Sequence, residues 1–585
     1  MHALNSQPEN MDEMEVKTSK RGNIVIIVFL VAFMVSMLRI GYLHFKRGET
    51  EKTGVFREKL SAPRGHVYDR NGRRNVVVGN LPACEVWAEL HPMTVRGTKG
   101  VIAVELARCF SRPVDEIASR LERDSGCIRI AWKVDEKLVE PLRKWTQTGE
   151  LRIEEAPLRY YPHGELMCHV LGFVNFEGYG SAGIEQRYDV YLRGCPGLIE
   201  GRCDGRVKQR EELYWERIRQ VRPIPGGDIY LTIDLNLQYL AEQALDRAVK
   251  RYNASGGCVI VEAVRTGEIL AMASRPAYDP NDYRKADENS LLNRAIGWVY
   301  EPGSCLKVAT IAAAIDAGTV TPDTVFFCEN GCWVYNGKPL RDVHGNGDLT
   351  VADIIKKSSN IGAAKVALTL RPETLYKYLR QFGLGRPLGI DLPGEEGGLL
   401  RPPSRWSNIC ATRIAMGQSV GVTALQMLGI VSAIANDGVL MRPYVVSRIE
   451  DERGREIYRG VPREIGRAIK PETAKIMRYL MQRVTEEGGT GTAARIAECN
   501  VGGKTGTAQK VHNGSYVADY VASFVGFLPV ESPRIAVIVS IDSPKGSYFG
   551  GTVAAPVFKE IAEFAVRRFG FEEPGIENET TVASR

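Results

Sequence analysis

The sequence predicts an α+β protein with an N-terminal transmembrane helix, and three observations support this prediction. Residues 24–38 contain no charged side chain. A strand-like hairpin over residues 257–272 opens the second half of the chain, and strand-like runs return over residues 501–541. Between them, apolar residues recur at helical spacing. Strands at both ends of a domain with helices between them predict one central sheet that joins the hairpin to the late strands and is flanked by helices.

The composition indicates a globular chain of two or more domains. The 585 residues are 44% hydrophobic and 25% charged, and the formal net charge is +6. Because the basic residues are scattered along the chain, we expect no nucleic-acid binding. The 12 cysteines form no CxxC pair, which argues against a zinc ribbon or a thioredoxin-like motif.

The apolar segment near the N-terminus decides the predicted compartment. Residues 24–38 are uncharged and the apolar pattern resumes after Arg39, so about 20 residues are available to span a bilayer core of ~30 Å. We predict a membrane anchor over residues 23–45 and a short disordered tail over residues 1–22. A cleaved signal peptide is the alternative, but no small-x-small cleavage site follows. Basic residues stand on both sides of the segment, so the positive-inside rule leaves its orientation open.

Residues 46–225 are predicted to form a separate domain of mixed structure. Turn signals are frequent in this region, for example Asn-Gly at 71–72. One helical stretch covers residues 101–121 and is interrupted at Pro113. The sequence Pro-Ile-Pro-Gly-Gly at 223–227 punctuates the chain, and we place the domain boundary there.

Residues 226–570 are predicted to form a second, larger domain, and residues 571–585 a loose tail that is acidic and polar. The hydrophobic periodicity changes from that of a strand to that of a helix several times within the larger domain. The predicted strands cover residues 229–233, 257–262, 268–272, 501–507, 521–527 and 534–541, and the predicted helices cover 235–250, 306–317, 351–368, 423–435 and 556–567.

Three short motifs occur in order within the larger domain. They are Ser304-Cys305-Leu306-Lys307, which runs into a predicted helix, then Ser358-Ser359-Asn360, and finally Lys504-Thr505-Gly506-Thr507 on a predicted strand. Each motif alone is more often an ordinary helix start or a turn. The ordered set, in these helix and strand contexts, is far more specific.

The residue types in these motifs suit acyl transfer through a serine nucleophile. A serine hydroxyl needs a base within hydrogen-bonding reach, and Lys307 shares a helix face with Ser304. Burial and a neighbouring cation lower the pKa of a lysine until its neutral amine accepts a proton. Free N–H groups at a helix start stabilise an oxyanion. Ser358 and Asn360 supply a hydroxyl that relays protons and an amide that holds a peptide group, and Lys504 supplies a cation for a substrate carboxylate.

The chain resembles a class B penicillin-binding protein over nearly its whole length. The three motifs match the S-x-x-K, S-D-N and K-T-G signature of β-lactamases and penicillin-binding proteins. Upstream, residues 64–72 (RGHVYDRNG) resemble the element that opens the non-catalytic pedestal of class B members. The second and third conserved blocks are matched by residues 159–162 with 169–172 and by 183–185 with 192–197. The resemblance implies a dimerisation-like pedestal over residues 46–225, followed by a transpeptidase domain with a central antiparallel sheet.

The resemblance also implies a peptidoglycan D,D-transpeptidase activity. Ser304 would be acylated by the D-Ala-D-Ala end of a stem peptide and would release the last D-alanine. Lys307 would serve as the base, and Ser358 with Asn360 would complete the proton network. An amine from a neighbouring stem would then take the acyl group, and neither a metal nor a cofactor is required.

Substrate binding is implied for the third motif. Lys504 and Thr505 would hold the carboxylate of the donor peptide. Gly506 would let the backbone of an edge strand approach the acyl-peptide closely. The backbone N–H groups of Ser304 and Thr507 would form the oxyanion hole. β-Lactams are expected to inhibit such a site covalently.

Location and partners follow from the same resemblance. We expect a single-pass protein of the bacterial plasma membrane, with the N-terminus in the cytoplasm and the catalytic domain periplasmic or extracellular. The expected partners are a membrane glycosyltransferase of the shape-elongation-division-sporulation (SEDS) type and other division proteins. Residues 277–282, 548–551 and 554–558 look more like the septal group than the elongation group, which favours a role in cell division.

Three residues depart from the family pattern near its conserved blocks. Cys168 stands where the family usually has alanine, Ser419 ends a Gly-Gln-Gly motif, and Asp437 stands in an Asn-Gly-Gly motif. None of these departures removes a catalytic group. Ser419 and Asp437 replace glycines, so they bear on local loop geometry.

Further cysteines raise separate questions. Cys305 follows the nucleophile directly, and small packing on the helix is favoured over a redox role. Cys328 and Cys332 lie close enough in sequence for a small disulfide loop, and two unlinked thiols are an equal alternative.

Three alternative functions are compatible with the sequence. An elongation-type transpeptidase would share every motif. A β-lactamase or a β-lactam sensor would share the catalytic fold, but the pedestal-like region of about 180 residues has no use in a β-lactamase. A non-catalytic division scaffold would not need Ser304, Lys307, Ser358, Asn360 and Lys504 intact.

Overall fold

The computed structural model describes residues 12–48, 53–204, 217–512 and 514–570. The chain forms two compact units. The first comprises Met1–Ser61, Cys84–Glu155 and Pro196–Pro223, and the second comprises Ala62–Ala83, Ala156–Cys195 and Ile224–Arg585. The chain passes from the first unit to the second between residues 223 and 224, beside the predicted boundary. However, residues 62–83 and 156–195, which the prediction placed in the pedestal, belong to the same unit as the catalytic motifs. The division into domains at residue 225 stays a prediction.

The strands are, in chain order, β1 (Thr53–Leu60), β2 (Val67–Tyr68), β3 (Val76–Leu81), β4 (Ala83–Glu89), β5 (Cys127–Asp135), β6 (Leu151–Glu155), β7 (Leu158–Tyr160), β8 (Gly197–Asp204), β9 (Arg217–Val221), β10 (Asp228–Leu231), β11 (Gly256–Ala263), β12 (Ile269–Arg275), β13 (Val325–Phe327), β14 (Cys332–Tyr335), β15 (Lys338–Arg341), β16 (Asp348–Thr350), β17 (Val439–Met441), β18 (Val446–Glu450), β19 (Glu456–Arg459), β20 (Glu464–Arg467), β21 (Gly502–His512), β22 (Ser515–Leu528) and β23 (Ile535–Asp542).

The α-helices are α1 (Asp12–Gly48), α2 (Leu90–Arg96), α3 (Lys99–Phe110), α4 (Val114–Arg120), α5 (Glu136–Val139), α6 (Lys144–Gln147), α7 (Cys168–Leu171), α8 (Gly183–Arg187), α9 (Asp189–Leu192), α10 (Leu235–Arg251), α11 (Glu288–Leu291), α12 (Arg294–Gly297), α13 (Lys307–Asp316), α14 (Val351–Lys357), α15 (Asn360–Leu368), α16 (Pro372–Gln381), α17 (Cys410–Ile414), α18 (Ala424–Ala435), α19 (Pro471–Gln482), α20 (Gly550–Val553) and α21 (Ala555–Phe569).

Helix α1 contains the predicted anchor. Its segment Ile24–Tyr42 is 19 residues long with a mean hydropathy of 2.7, and among the described residues it is the one helix long and apolar enough to cross a membrane. The helix begins at Asp12, so the prediction of a disordered segment is wrong for residues 12–22. Glu, Met and Lys in this stretch are good helix formers, and an existing helix extends at little cost. Residues 1–11 of the predicted tail and the predicted C-terminal tail 571–585 lie outside the described residues.

The first unit also contains two three-stranded sheets, ordered β1-β8-β9 and β5-β4-β6. Helices α3 and α4 pack apolar residues into the core of this unit, among them Ile102, Leu106 and Ile117. The prediction of a helical stretch interrupted at Pro113 is confirmed, because α3 ends at Phe110 and α4 starts after the proline.

The second unit has a five-stranded antiparallel sheet in the order β12-β11-β23-β22-β21. The predicted joining of the early hairpin to the late strands is therefore confirmed, with β23 pairing with both β11 and β22. Strand β21, which carries the third motif, lies at an edge of this sheet. A six-stranded sheet in the order β19-β18-β10-β2-β3-β7 brings residues 67–81 and 158–160 into the same unit.

Helices cover both faces of the five-stranded sheet. Along β11, Cys258 and Ile260 pack into one core with α13, α15 and α18, whereas Val259 and Val261 pack into another with α10 and α21. This two-residue alternation is the normal periodicity of a strand buried on both faces. The predicted helices over 235–250, 423–435 and 556–567 are confirmed as α10, α18 and α21.

The prediction of one helix over residues 351–368 is wrong. Helix α14 ends at Lys357, Ser358 adopts a left-handed conformation with φ 60° and ψ 39°, and α15 starts at Asn360. The side chain of Ser359 accepts a hydrogen bond from the backbone N–H of Gly362 and so caps α15. Apolar periodicity continues through both helices and conceals the break, which lies within the second motif.

Candidate active site

Ser304 lies on a 3-10 turn, Gly303–Leu306, that leads directly into α13. Because side chains three residues apart eclipse each other in a 3-10 turn, Ser304 and Lys307 lie on the same side. The Ser304 side chain is half-buried. Within the described part of the chain, no group forms a hydrogen bond with its hydroxyl. Ser304 is thus open to a substrate while its neighbour Lys307 is completely buried.

Two glycines allow the turn to lie against β21. Gly303 has φ +54°, and a Cβ on it would stand 3.2 Å from the carbonyl oxygen of Thr507. A Cβ on Gly506 would stand 2.6 Å from Cys305 Sγ and 3.1 Å from the carbonyl oxygen of Pro302. The glycine of the third motif therefore makes room for the turn of the first motif.

Lys307 contacts the second motif. Its Nζ donates to the Ser358 carbonyl oxygen at 2.6 Å and to Asn360 Oδ1 at 2.7 Å, and it lies 3.3 Å from Ser358 Oγ. All three partners are potential acceptors. A neutral amine has two protons, which are enough for the two short bonds, and its lone pair is then free to accept a proton from a hydroxyl.

Lys504 reaches the same serine from β21. Its Nζ donates to Ser358 Oγ at 2.9 Å and to the Thr505 carbonyl oxygen at 3.0 Å. The Lys504 side chain is completely buried. The structure therefore brings residues of all three motifs together around Ser358, although Lys307 and Lys504 are separated by 197 positions in sequence (307 to 504).

Burial and mutual repulsion favour a neutral lysine at this site. Burial, and then the positive charge of Lys504, hold the pKa of Lys307 well below its ordinary value, and Asp342 opposes this shift. Burial lowers the pKa of Lys504 to about 8. Since two charged ammonium groups around one hydroxyl repel each other, loss of one proton from the pair is favoured.

The threonines of the third motif have partners of their own. Thr505 Oγ1 lies 2.9 Å from Thr490 Oγ1. Thr507 Oγ1 accepts a hydrogen bond at 3.2 Å from the backbone N–H of Gly550, at the start of α20. Both side chains are thereby held in place.

Sequence reasoning missed two supporting residues, Asp342 and Thr490. The carboxylate of Asp342 accepts hydrogen bonds from the backbone N–H groups of Asn360 and Ile361, at 2.5 and 3.0 Å, and from Ser359 Oγ at 2.6 Å. Neither residue lies in a recognisable motif. No sequence signal indicates that the loops that carry them return to the site.

Ser419 and Asp437, which stand where the family has glycine, both adopt a backbone conformation typical of glycine. Ser419 has φ 60° and Asp437 has φ 51°, the left-handed region in which glycine is favoured. The Ser419 backbone N–H donates to Glu301 Oε1 at 2.8 Å, and Asp437 Oδ1 accepts from Arg478 at 2.6 Å. The loops keep the glycine-type conformation although the glycines are absent.

The cysteines near the site are free thiols. Cys305 is completely buried, and burial raises the pKa of its thiol to about 12, which agrees with a packing role. Cys328 is buried, Cys332 is exposed, and the two are not linked. Cys168 is buried beside His169, with Sγ and Nδ1 separated by 3.3 Å.

Comparison with family models identifies two regions. Residues 257–563 match the penicillin-binding protein transpeptidase domain, and residues 59–231 match the penicillin-binding protein dimerisation domain. The first match contains all three motifs, and the second covers most of the predicted pedestal.

Whole-length relatives show the same relationship. The chain is 32% identical over 571 residues to "Stage V sporulation protein D" of Bacillus subtilis, which covers 95% of this chain and 86% of that protein. It is 30% identical over 588 residues to "Peptidoglycan D,D-transpeptidase FtsI" of Escherichia coli, covering 97% and 95%. Among solved structures, penicillin-binding protein 3 of Mycobacterium tuberculosis, complexed with aztreonam, aligns with a TM-score of 0.69 and 26% identity, covering 88% of this chain and 98% of that one.

Proposed function

This chain belongs to the class B penicillin-binding proteins, and from that premise we propose that it cross-links peptidoglycan stem peptides as a serine-type D,D-transpeptidase. The observation that carries the proposal is the convergence of two buried lysines on Ser358, with the half-buried Ser304 on the 3-10 turn that leads into Lys307. A buried lysine held neutral is a base strong enough to activate a serine and needs no metal.

In the proposed first step, Ser304 Oγ attacks the carbonyl carbon of the penultimate D-alanine while its proton passes to the neutral amine of Lys307. The carbonyl oxygen becomes an oxyanion held by the backbone N–H groups of Ser304 and Thr507. When the peptide bond breaks, the departing D-alanine amine takes a proton through the Lys307–Ser358 hydrogen bonds. The acyl group then remains on Ser304 as an ester.

Lys504 and Thr505 are proposed to bind the terminal carboxylate of the donor. Lys504 is proposed to keep its proton longer than Lys307 because its pKa, at about 8, is lowered less. A cation at the end of the edge strand β21 favours a peptide that lies along the strand with its carboxylate towards Lys504. In the second step, an amine of a neighbouring stem attacks the ester and regenerates the Ser304 hydroxyl.

The first test is covalent labelling of the full-length protein, in detergent, with a fluorescent penicillin. We expect one adduct per chain, located on Ser304 by peptide mass spectrometry, absent from Ser304→Ala and slow to hydrolyse. Rapid release of hydrolysed drug would favour the β-lactamase alternative. A folded protein that forms no adduct would contradict the proposal and favour the scaffold alternative.

We propose that the anchor places the catalytic unit outside the cytoplasm. The helix that contains Ile24–Tyr42 is long and apolar enough to cross a membrane, and we propose one membrane pass with the N-terminus inside. The exposed thiol of Cys332 permits a test, because a membrane-impermeant maleimide should label it in spheroplasts without lysis. Labelling that requires lysis would reverse the proposed orientation.

The biological role proposed is septal wall synthesis, with a SEDS-type glycosyltransferase and other division proteins as partners. The septal-like sequences at residues 277–282, 548–551 and 554–558 support it. Depletion should therefore produce filaments, and crosslinking in the membrane should capture the glycosyltransferase. Depleted cells that swell would favour the elongation-type alternative. A defect confined to spores would favour a role like that in the name of the Bacillus subtilis relative.

A further inference from the structure

The segment from Cys328 to Gly347 lies against the second motif, and the proposed chemistry does not use it. It contains the hairpin β14–β15, in which Trp333 pairs with Leu340. Its base is closed by backbone hydrogen bonds from Cys328 to Gly347, at 2.8 Å, and from Asp342 to Gly331, at 3.1 Å. The hairpin thus delivers its last residue, Arg341, and the next residue, Asp342, to a fixed position.

Asp342 supplies a second cap to α15. The first turn of a helix has N–H groups without partners inside the helix. The N-cap residue Ser359 satisfies only the N–H of Gly362, at 2.9 Å. Asp342 Oδ1 accepts hydrogen bonds from the backbone N–H groups of Asn360 and Ile361, and Asp342 Oδ2 accepts one from the Ser359 hydroxyl. A carboxylate at this position also suits the positive end of the helix.

The hairpin also determines which way the amide of Asn360 points. The carbonyl oxygen of Arg341 accepts a hydrogen bond from Asn360 Nδ2 at 2.8 Å. The amide oxygen is therefore left facing Lys307 at 2.7 Å. In the flipped orientation an N–H group would face the Lys307 amine, and a neutral lysine would lose one of its two short hydrogen bonds.

We propose that Asp342 is a positioning residue that holds Ser358 and Asn360 in the geometry required for proton transfer from Ser304. This inference rests on the proposed function. Asp342 touches no reacting atom, and it acts through the start of α15. The left-handed conformation of Ser358 lies between the end of α14 and this cap, so loosening the cap moves both Ser358 groups that contact Lys307.

Asp342 also acts on the charge of the site. The charged or titratable groups that act on Lys307 are Lys504 from β21, Cys305 from the 3-10 turn and Asp342 from the hairpin. Asp342 is the carboxylate among them, and it raises the pKa of Lys307 against the effects of burial and Lys504. Removal of its charge therefore lowers the pKa of Lys307 further.

The test compares Asp342→Asn with the wild type in full-length protein, using the second-order rate constant of penicillin acylation from pH 5 to 9. Acylation requires neutral Lys307, so the rate rises as pH rises through the pKa of that lysine. We expect Asp342→Asn to move this acidic limb to lower pH. At pH 8 we expect a loss of about 100-fold, the order produced by small displacements of reacting groups.

Two further variants separate positioning from general stability. Asp342→Glu keeps the charge and should restore the acidic limb of the wild type. Asp234→Asn is the matched control, because Asp234 caps α10 through the N–H groups of Asn236 and Leu237 and touches none of the three motifs. It should lower the melting temperature and leave the pH profile unchanged.

The outcomes are distinct. A wild type without an adduct on Ser304 would overturn the proposed function and this inference with it. A labelled wild type, with a rate and pH profile unchanged in Asp342→Asn, would overturn this inference alone. The inference would be supported if Asp342→Asn shifts the acidic limb of the pH–rate profile, Asp342→Glu restores the wild-type limb, and Asp234→Asn causes no shift.

Discussion

At the scale of single residues, the candidate site depends on two lysines that share one hydroxyl. Lys307 and Lys504 are both completely buried, and both contact Ser358 Oγ, at 3.3 and 2.9 Å. They differ in their remaining partners. Lys307 has Asn360 Oδ1, and Lys504 has the backbone of Thr505. In the proposed mechanism Lys307 is the neutral base and Lys504 is the cation that binds the substrate, although the residue type is the same.

Lys307→Arg should strongly slow acylation while the protein stays folded. An arginine keeps its proton at all physiological pH values and cannot act as a base. Loss of a positioned general base costs about 10²–10⁴-fold in rate. The measurement is the second-order rate constant of penicillin acylation, with Lys357→Arg, an exposed position one residue before Ser358, as the matched control. Acylation of Lys307→Arg within tenfold of the wild type would exclude Lys307 as the base.

Gly506→Ala should destabilise the protein, because the new Cβ would meet Cys305 Sγ at 2.6 Å. Overpacking of this kind costs about 1–3 kcal/mol of unfolding free energy. The double variant Gly506→Ala/Cys305→Ala should recover part of the loss, since the colliding sulfur is removed. The measurement is denaturant unfolding of both single variants and the double variant.

The matched control for this cycle is Gly100→Ala. Gly100 lies in α3 and has no atom within 4 Å of its added Cβ, so alanine should be neutral or stabilising there. If the changes in unfolding free energy caused by Cys305→Ala and Gly506→Ala simply add in the double variant, the proposed contact is contradicted.

At the scale of elements, the site depends on the break between α14 and α15 more than on the helix propensity of the residues in either helix. It presents the carbonyl oxygen of Ser358 to Lys307 and its hydroxyl to both lysines. A continuous helix would have directed that carbonyl along its own axis.

Another element contact, between β11 and α18, is made by two buried polar side chains. Ser432 Oγ donates to Glu262 Oε1 at 2.8 Å.

Glu262 should make stability depend on pH. Burial raises the pKa of its carboxyl from 4.5 to about 7 in the folded protein. Because the pKa of Glu262 is higher in the folded than in the unfolded protein, its protonated carboxyl contributes to the unfolding free energy. This contribution is fully present below pH 4.5 and is lost as pH rises to about 7. The loss is about 3 kcal/mol, at 1.36 kcal/mol for each pH unit.

The measurement is the unfolding free energy of the wild type and Glu262→Gln between pH 5 and 8. Glutamine does not titrate, so its stability relative to the wild type should increase across this range and level off above pH 7. An exposed glutamate, Glu472, provides the control Glu472→Gln. A constant difference between wild type and Glu262→Gln at all pH values would show that Glu262 does not change protonation on folding.

At the scale of the whole molecule, the second unit is assembled from distant parts of the chain. Strand β23 lies between β11 and β22, and all its residues are buried. Strand β21, which carries Lys504, is joined to the hairpin β11–β12 only through β22 and β23. The last motif is therefore positioned by a strand that follows it in sequence.

A chain that ends at residue 533 should therefore lose penicillin labelling completely, although every motif is still present. Without β23, the pairing edges of β11 and β22 would both be left open. The control is a chain that ends at residue 570, which removes only the predicted loose tail and should be labelled like the wild type. Labelling of the shorter chain on Ser304 would show that the site forms without the central strand.

The sequence alone determined the elements whose signals are local. The apolar run of α1, the proline break between α3 and α4, and the strand-like apolar runs of β11, β22 and β23 all follow from patterns within about 20 residues. The three ordered motifs together with the upstream pedestal blocks were enough to identify the family. The joining of the early hairpin to the late strands also followed, since strands at both ends of a domain must pair to bury their faces.

Only the tertiary structure decided how the site is held together. The left-handed Ser358, the return of Asp342 to the start of α15, and the contact of Lys307 with Asn360 all depend on hydrogen bonds between segments remote in sequence. A carboxylate that caps a helix 18 residues away leaves no periodic pattern (342 to 360). The physical reason is that propensity and periodicity report burial along one segment, whereas a buried polar site is specified by partners that the fold brings from elsewhere.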